Sequence, residues 1–79
     1  MIINEQQAKE IREHMLRKVK TFVGLDNISV FDLIYQDIIH QYKREYGTDS
    51  FYDTKNGDLA DVHDFIDCYE LPRVLEEQL

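Results

Sequence analysis

The sequence predicts an all-α fold: a small three-helix bundle closed by a short fourth helix at the C-terminus. Three observations lead there. Apolar residues recur with helical spacing through three stretches, each stretch opens beside a capping residue, and Gly24, Gly47 and the single proline, Pro72, punctuate them.

Asn4 followed by Gln7 is a capping-box pattern. The helix it opens runs from Glu5 to Val23, with Gly24 as its stop. Placed at helical intervals, Ala8, Ile11, Met15, Leu16, Val19, Phe22 and Val23 fall within an arc roughly 140° wide. Arg12 also falls inside that arc. Its expected partner is a carboxylate, either Asp37 or an acid of the third helix, the other reading being a side chain that snorkels to water. If it is paired, Arg12→Leu is close to neutral, and removing only the acid costs several kcal/mol.

Ser29 with Asp32 gives a second capping signature, and the helix behind it extends to Tyr46 before Gly47. Val30, Phe31, Ile34, Tyr35, Ile38, Ile39, Tyr42 and Tyr46 cover about half its circumference, which predicts that this helix is the central one. Residues 47–57 read as a loop pinned by Phe51 and Tyr52, with a short hairpin around Asn56-Gly57 as the alternative. Asp58 is the expected cap of a third helix from Leu59 to about Tyr69, whose apolar arc holds Leu59, Val62, Phe65, Ile66 and Tyr69. Pro72 suits the first position of a closing helix with Leu71, Leu75 and Leu79 on one side.

The chain reads as one helical domain, residues 1–79, without repeats or a flexible tail. A domain of this size buries only about 60% of its unfolded surface, so few apolar side chains are left to line a substrate cleft. A net charge of -7 disfavours direct binding of nucleic acid and of anionic membranes. No apolar run is long enough for a signal peptide or a membrane span, and the single cysteine, Cys68, provides no disulfide. A cytoplasmic location is therefore expected. DNA binding through Arg12, Arg17, Lys18 and Lys20 is disfavoured because Arg17, Lys18 and Lys20 do not share one stripe.

The charge is unevenly placed. Residues 1–24 carry five basic and three acidic side chains, whereas residues 48–79 carry nine acids against Lys55 and Arg73. Asp61, Asp64, Asp67 and Glu70 recur every three residues opposite the apolar arc of the third helix, with Asp58 ahead of them. Three residues advance about 4.5 Å along a helix, a spacing comparable to that of backbone phosphates. This row is the candidate binding face, presented to a protein partner with a basic surface. Tyr35, Tyr42 and Tyr46 align along one edge of the second helix, and Tyr52 adds to this second candidate surface, which could instead serve a homodimer.

Catalysis finds no support. His63 and Asp67 stand at i,i+4 and offer two metal ligands where a catalytic site needs three, and neither His14 nor His40 can be placed near them from sequence alone. Residues 53–58 fail the EF-hand pattern at the third, fifth and twelfth positions. Cys68 lies on the acidic side of its helix without an adjacent base, and the glycines build no phosphate loop. No metal or cofactor is expected.

Size, acidity, tyrosine content and the absence of catalytic motifs suit small accessory proteins of phages and other mobile elements, some of which inhibit host nucleic-acid enzymes by charge mimicry. That is an analogy of type. The functional expectation is a stoichiometric inhibitor or adaptor; the alternative is a self-associating helical module.

Overall fold

The computed structural model describes residues 1–79 and contains four α-helices: α1 (Glu5–Lys20), α2 (Ile28–Tyr46), α3 (Leu59–Asp67) and α4 (Arg73–Glu76). The all-α expectation holds.

α1 opens on a complete capping box. The Gln7 N–H donates to Asn4 Oδ1 at 2.8 Å, and the Asn4 N–H donates to Gln7 Oε1 at 2.9 Å. Its regular part ends at Lys20, three residues before Val23. There the Thr21 hydroxyl donates to the Lys18 carbonyl at 2.6 Å and satisfies one of the terminal acceptors. Phe22 and Val23 still pack against the core from the turn that follows.

The second capping signature is not used. α2 begins one residue before Ser29, with Asn27 at the cap position making no side-chain hydrogen bond, and Ser29 is exposed within the first turn. At the other end Gly47 adopts φ 65° and donates its N–H to the Lys43 carbonyl at 2.9 Å. This is the left-handed terminator that glycine supplies at least cost.

α1, not α2, is the central helix. It approaches both α2 and α3 closely, and Ala8, Ile11, Met15 and Val19 form its buried stripe. α2 turns Val30, Phe31, Ile34, Ile38 and Tyr42 into the same core, and α3 adds Val62 and Ile66. Between α2 and α3 the contacts are made by long side chains: the Tyr46 and Phe65 rings meet edge-on at 6.0 Å, and the Tyr46 hydroxyl reaches Asp61. α2 carries the wide apolar face because it must also cover α4 and the loop that follows it.

That loop does not form a hairpin. Phe51–Asp53 and Asn56–Asp58 are two 3-10 turns, and Gly57 does not have the positive φ that an Asn-Gly hairpin turn demands. The segment pairs with the N-terminus instead. The Ile3 N–H donates to the Thr54 carbonyl at 2.9 Å and the Asn56 N–H to the Met1 carbonyl at 2.8 Å, bridging Ile2 and Lys55 antiparallel. Phe51 pins the loop as expected, its ring 5.2 Å from that of Tyr42. Tyr52 does not, being 54% exposed. The second anchor is Thr54, 1% exposed and hydrogen-bonded to the Tyr42 hydroxyl.

Asp58 does not cap α3 with its side chain. The 3-10 turn before the helix already holds its backbone at φ -95°, ψ -4°, whereas a capping side chain needs an extended backbone. α3 stops at Asp67, short of Tyr69, and Tyr69 is buried beyond the helix end. Pro72 stands just ahead of α4, where its carbonyl accepts from the Leu75 and Glu76 N–H groups. Leu75 is buried, Leu71 half-buried and Leu79 exposed, so the predicted three-leucine side is only partly used.

Candidate functional site

Asp61 and Asp64 of α3 border a groove of roughly 510 Å3 between α2 and α3. Gln41, Arg44, Glu45 and Tyr46 form one wall, Asp61, Asp64, Phe65 and Cys68 the other, and Tyr69 and Glu70 the end. The Tyr46 and Phe65 rings meet edge-on between α2 and α3, and the channel beside them is lined by Glu45, Asp61, Asp64 and Glu70 with Arg44 as its one basic residue. A second depression of roughly 390 Å3 shares Tyr46 and carries Asp49, Asp53 and Asp58 beside Lys55. The two form one acidic surface joined at Tyr46.

The members of the predicted row differ in their surroundings. Asp61 is exposed and its Oδ2 accepts from the Tyr46 hydroxyl at 3.2 Å. Asp64 is exposed, with no side-chain hydrogen bond or ion pair. Asp67, although 66% exposed, is hydrogen-bonded to His14, its Oδ1 2.7 Å from His14 Nε2. Glu70 lies past the helix end and Asp58 in the turn before its start, so only Asp61, Asp64 and Asp67 keep the helical rise between them. The structure thus bends the expected five-carboxylate row and ties its fourth member, Asp67, to α1.

The tyrosine edge is largely turned inward. Tyr42 is 1% exposed, and its hydroxyl is satisfied by Thr54. Tyr35 and Tyr46 are half-buried, and Tyr52 is exposed in the loop after α2. Burial pushes the phenol of Tyr46 above its ordinary range, and its hydrogen bond to Asp61 adds to this. Tyr69 is raised in the same way, by burial and then by donating to Asp37 Oδ2 at 2.7 Å. These phenols are hydrogen-bond donors that brace carboxylates, not a wet aromatic surface.

Asp37 is thereby engaged by Tyr69 and by the Gln41 amide at 2.9 Å. Arg12 is exposed and makes no ion pair, which corrects the expected Arg12–Asp37 or Arg12–α3 bridge and selects the snorkelling alternative. Its aliphatic stem is long enough to leave the edge of the apolar arc and reach water. Cys68 is exposed at the groove.

One constellation escaped the sequence reading. His14 of α1 and His63 of α3 meet with their Nδ1 atoms 2.7 Å apart, and His14 Nε2 lies 2.7 Å from Asp67 Oδ1. Lys18 Nζ donates to the Asp67 carbonyl at 2.9 Å. Burial lowers the His63 pKa below 6.5, with the neighbouring His14 acting in the same direction. A signal existed: His14 follows Ile11 and His63 precedes Ile66 by three residues, placing each at the flank of an apolar arc. No group of three His, Cys, Asp or Glu side chains converges as a metal site.

No protein-family model, no curated protein and no solved structure matches the chain.

Proposed function

We propose that this chain is an acidic protein-binding module, a stoichiometric inhibitor or adaptor of the kind carried by phages and other mobile elements. It would present α3 and the adjoining loop to the basic surface of a partner, in particular a nucleic-acid-binding one. The observation that supports this is the groove between α2 and α3, lined by the rings of Tyr46 and Phe65 and by four carboxylates, Glu45, Asp61, Asp64 and Glu70, against the single basic side chain of Arg44. An arginine or lysine entering it meets an excess of negative charge beside aromatic rings, and both attract a cation. The net charge of the C-terminal segment steers such a partner from a distance and makes the encounter salt-sensitive.

The geometry favours recognition of individual basic side chains over imitation of a regular phosphate row, since Asp67 is occupied by His14. The homodimer alternative along Tyr35, Tyr42 and Tyr46 loses its middle residue to the core. The test is capture of partners from host lysate by wild type and by the triple variant Asp61→Asn, Asp64→Asn, Glu70→Gln. Asp67 is left intact because it braces His14. All three changed residues are exposed, so the variant should keep its fold by circular dichroism while losing the captured protein. A partner retained equally by both chains would overturn the proposal.

A further inference from the structure

The His14–His63 contact has a geometry that restricts what lies within it. The ring planes differ by only 20° and the centroids are 4.9 Å apart. That separation is close to the 2.7 Å between the Nδ1 atoms plus the two ring radii, so the rings meet edge to edge with their nitrogens aimed at one another. Two lone pairs so aimed repel, and two N–H groups clash. The contact is attractive only when one nitrogen bears a hydrogen and the other accepts it. A metal ion does not fit, because two nitrogen ligands at about 2.0–2.1 Å from zinc cannot lie so near each other on one line.

The outer nitrogen of His14 fixes the count of protons. A carboxylate only accepts, so His14 Nε2 carries its hydrogen towards Asp67. The pair then keeps its Nδ1–H···Nδ1 bond when both rings are neutral, and also when either ring alone is charged. It loses that bond when both are charged. The surrounding charges are divided: Glu10 on α1 and Asp67 on α3 favour protonation, while Arg17 on α1 opposes it. Lys18, also on α1, is held against the Asp67 carbonyl.

We propose that His14 and His63 form a proton-operated latch, which holds α3 against α1 while at most one imidazole is charged and releases α3 when acidification charges both. Burial of His63 gives the direction of the effect. Its folded form takes up a proton less readily than an unfolded histidine at 6.5. The stabilisation is therefore complete above that pH, declines as pH falls below it, and is fully lost once pH passes the lower folded value. Carboxylates titrate in a separate window near about pH 4. The latch operates whether or not the acidic groove binds a partner.

The deciding experiment follows the three imidazoles by NMR in the intact chain from about pH 8 to 5, with hydrogen exchange of the amides of residues 62–66 in parallel. His14 and His63 should titrate as a coupled pair whose second step lies below the ordinary histidine value of 6.5. Across that second step, α3 opening should increase roughly tenfold for each pH unit by which the step is displaced. In His63→Gln the side-chain amide keeps a hydrogen bond to His14 but takes no proton, so the acid-induced opening should vanish. Independent single-site titrations of His14 and His63 in the wild type would overturn the latch, even if the variant failed to fold. So would undiminished acid opening in His63→Gln, or stoichiometric Zn(II) shifting both imidazoles at neutral pH.

Discussion

The Tyr42–Thr54 hydrogen bond is the polar contact most deeply placed in the molecule, and it joins α2 to the loop that leads into α3. Tyr42→Phe leaves the Thr54 hydroxyl buried without a partner, and Thr54→Val leaves the phenol in the same position. Each should lower stability by about 1–3 kcal/mol in urea denaturation, whereas the double change should recover part of the loss because no unsatisfied group remains. Equal and additive losses would show that the bond itself is not the link. The sequence foretold that Tyr42 lay on an apolar arc but not that its hydroxyl had a buried partner, because Thr54 sits in a turn-rich segment with no periodic signal. The histidine pair was hidden for a related reason. Each flanking position could be assigned on its own helix, but which flanks face one another depends on how α1 and α3 cross. Arg12 was misjudged because an arc drawn through Cα positions ignores the reach of a long side chain.

At the scale of elements, signals carried by neighbouring residues alone held at Asn4–Gln7 and Gly47 but not at Ser29–Asp32 or Asp58. Asn4 and Gln7 close their capping box within the first turn of α1, and Asn4→Ala should cost about 1 kcal/mol. Ser29 and Asp32 have the same spacing, yet Ser29→Ala should leave thermal stability almost unchanged, since Ser29 lies inside the helix. The start of α2 is set instead by Val30 and Phe31 entering the core. Gly47→Ala meets no neighbouring atom within 4 Å, so its effect comes from φ alone; a loss of about 1 kcal/mol is expected from placing a Cβ in the left-handed region. The hairpin alternative failed because the segment that pairs with residues 54–56 is the N-terminal Met1–Ile3, a long-range contact that no local pattern announces.

For the whole molecule, the fold class followed directly from periodicity, while the order of packing did not. The breadth of the apolar face on α2 suggested a central helix, but that breadth serves α4 and the 51–54 turn, and α1 occupies the middle. The charge asymmetry was readable in the sequence, since nine of the sixteen acids lie in residues 48–79. What the fold adds is a shape: acids that were evenly spaced in sequence come to line an aromatic groove, with Asp67 withdrawn to α1. The proposed function therefore places binding between α2 and α3, and a residue-resolved titration tests that placement most directly. Adding a short arginine-rich peptide to the isotope-labelled protein should shift the amide signals of Tyr46, Asp61, Asp64, Phe65 and Cys68 first, and salt near about 1 M should reverse the shifts. Perturbations centred on α1 or on the exposed start of α2, or shifts that persist undiminished at that salt, would contradict the account.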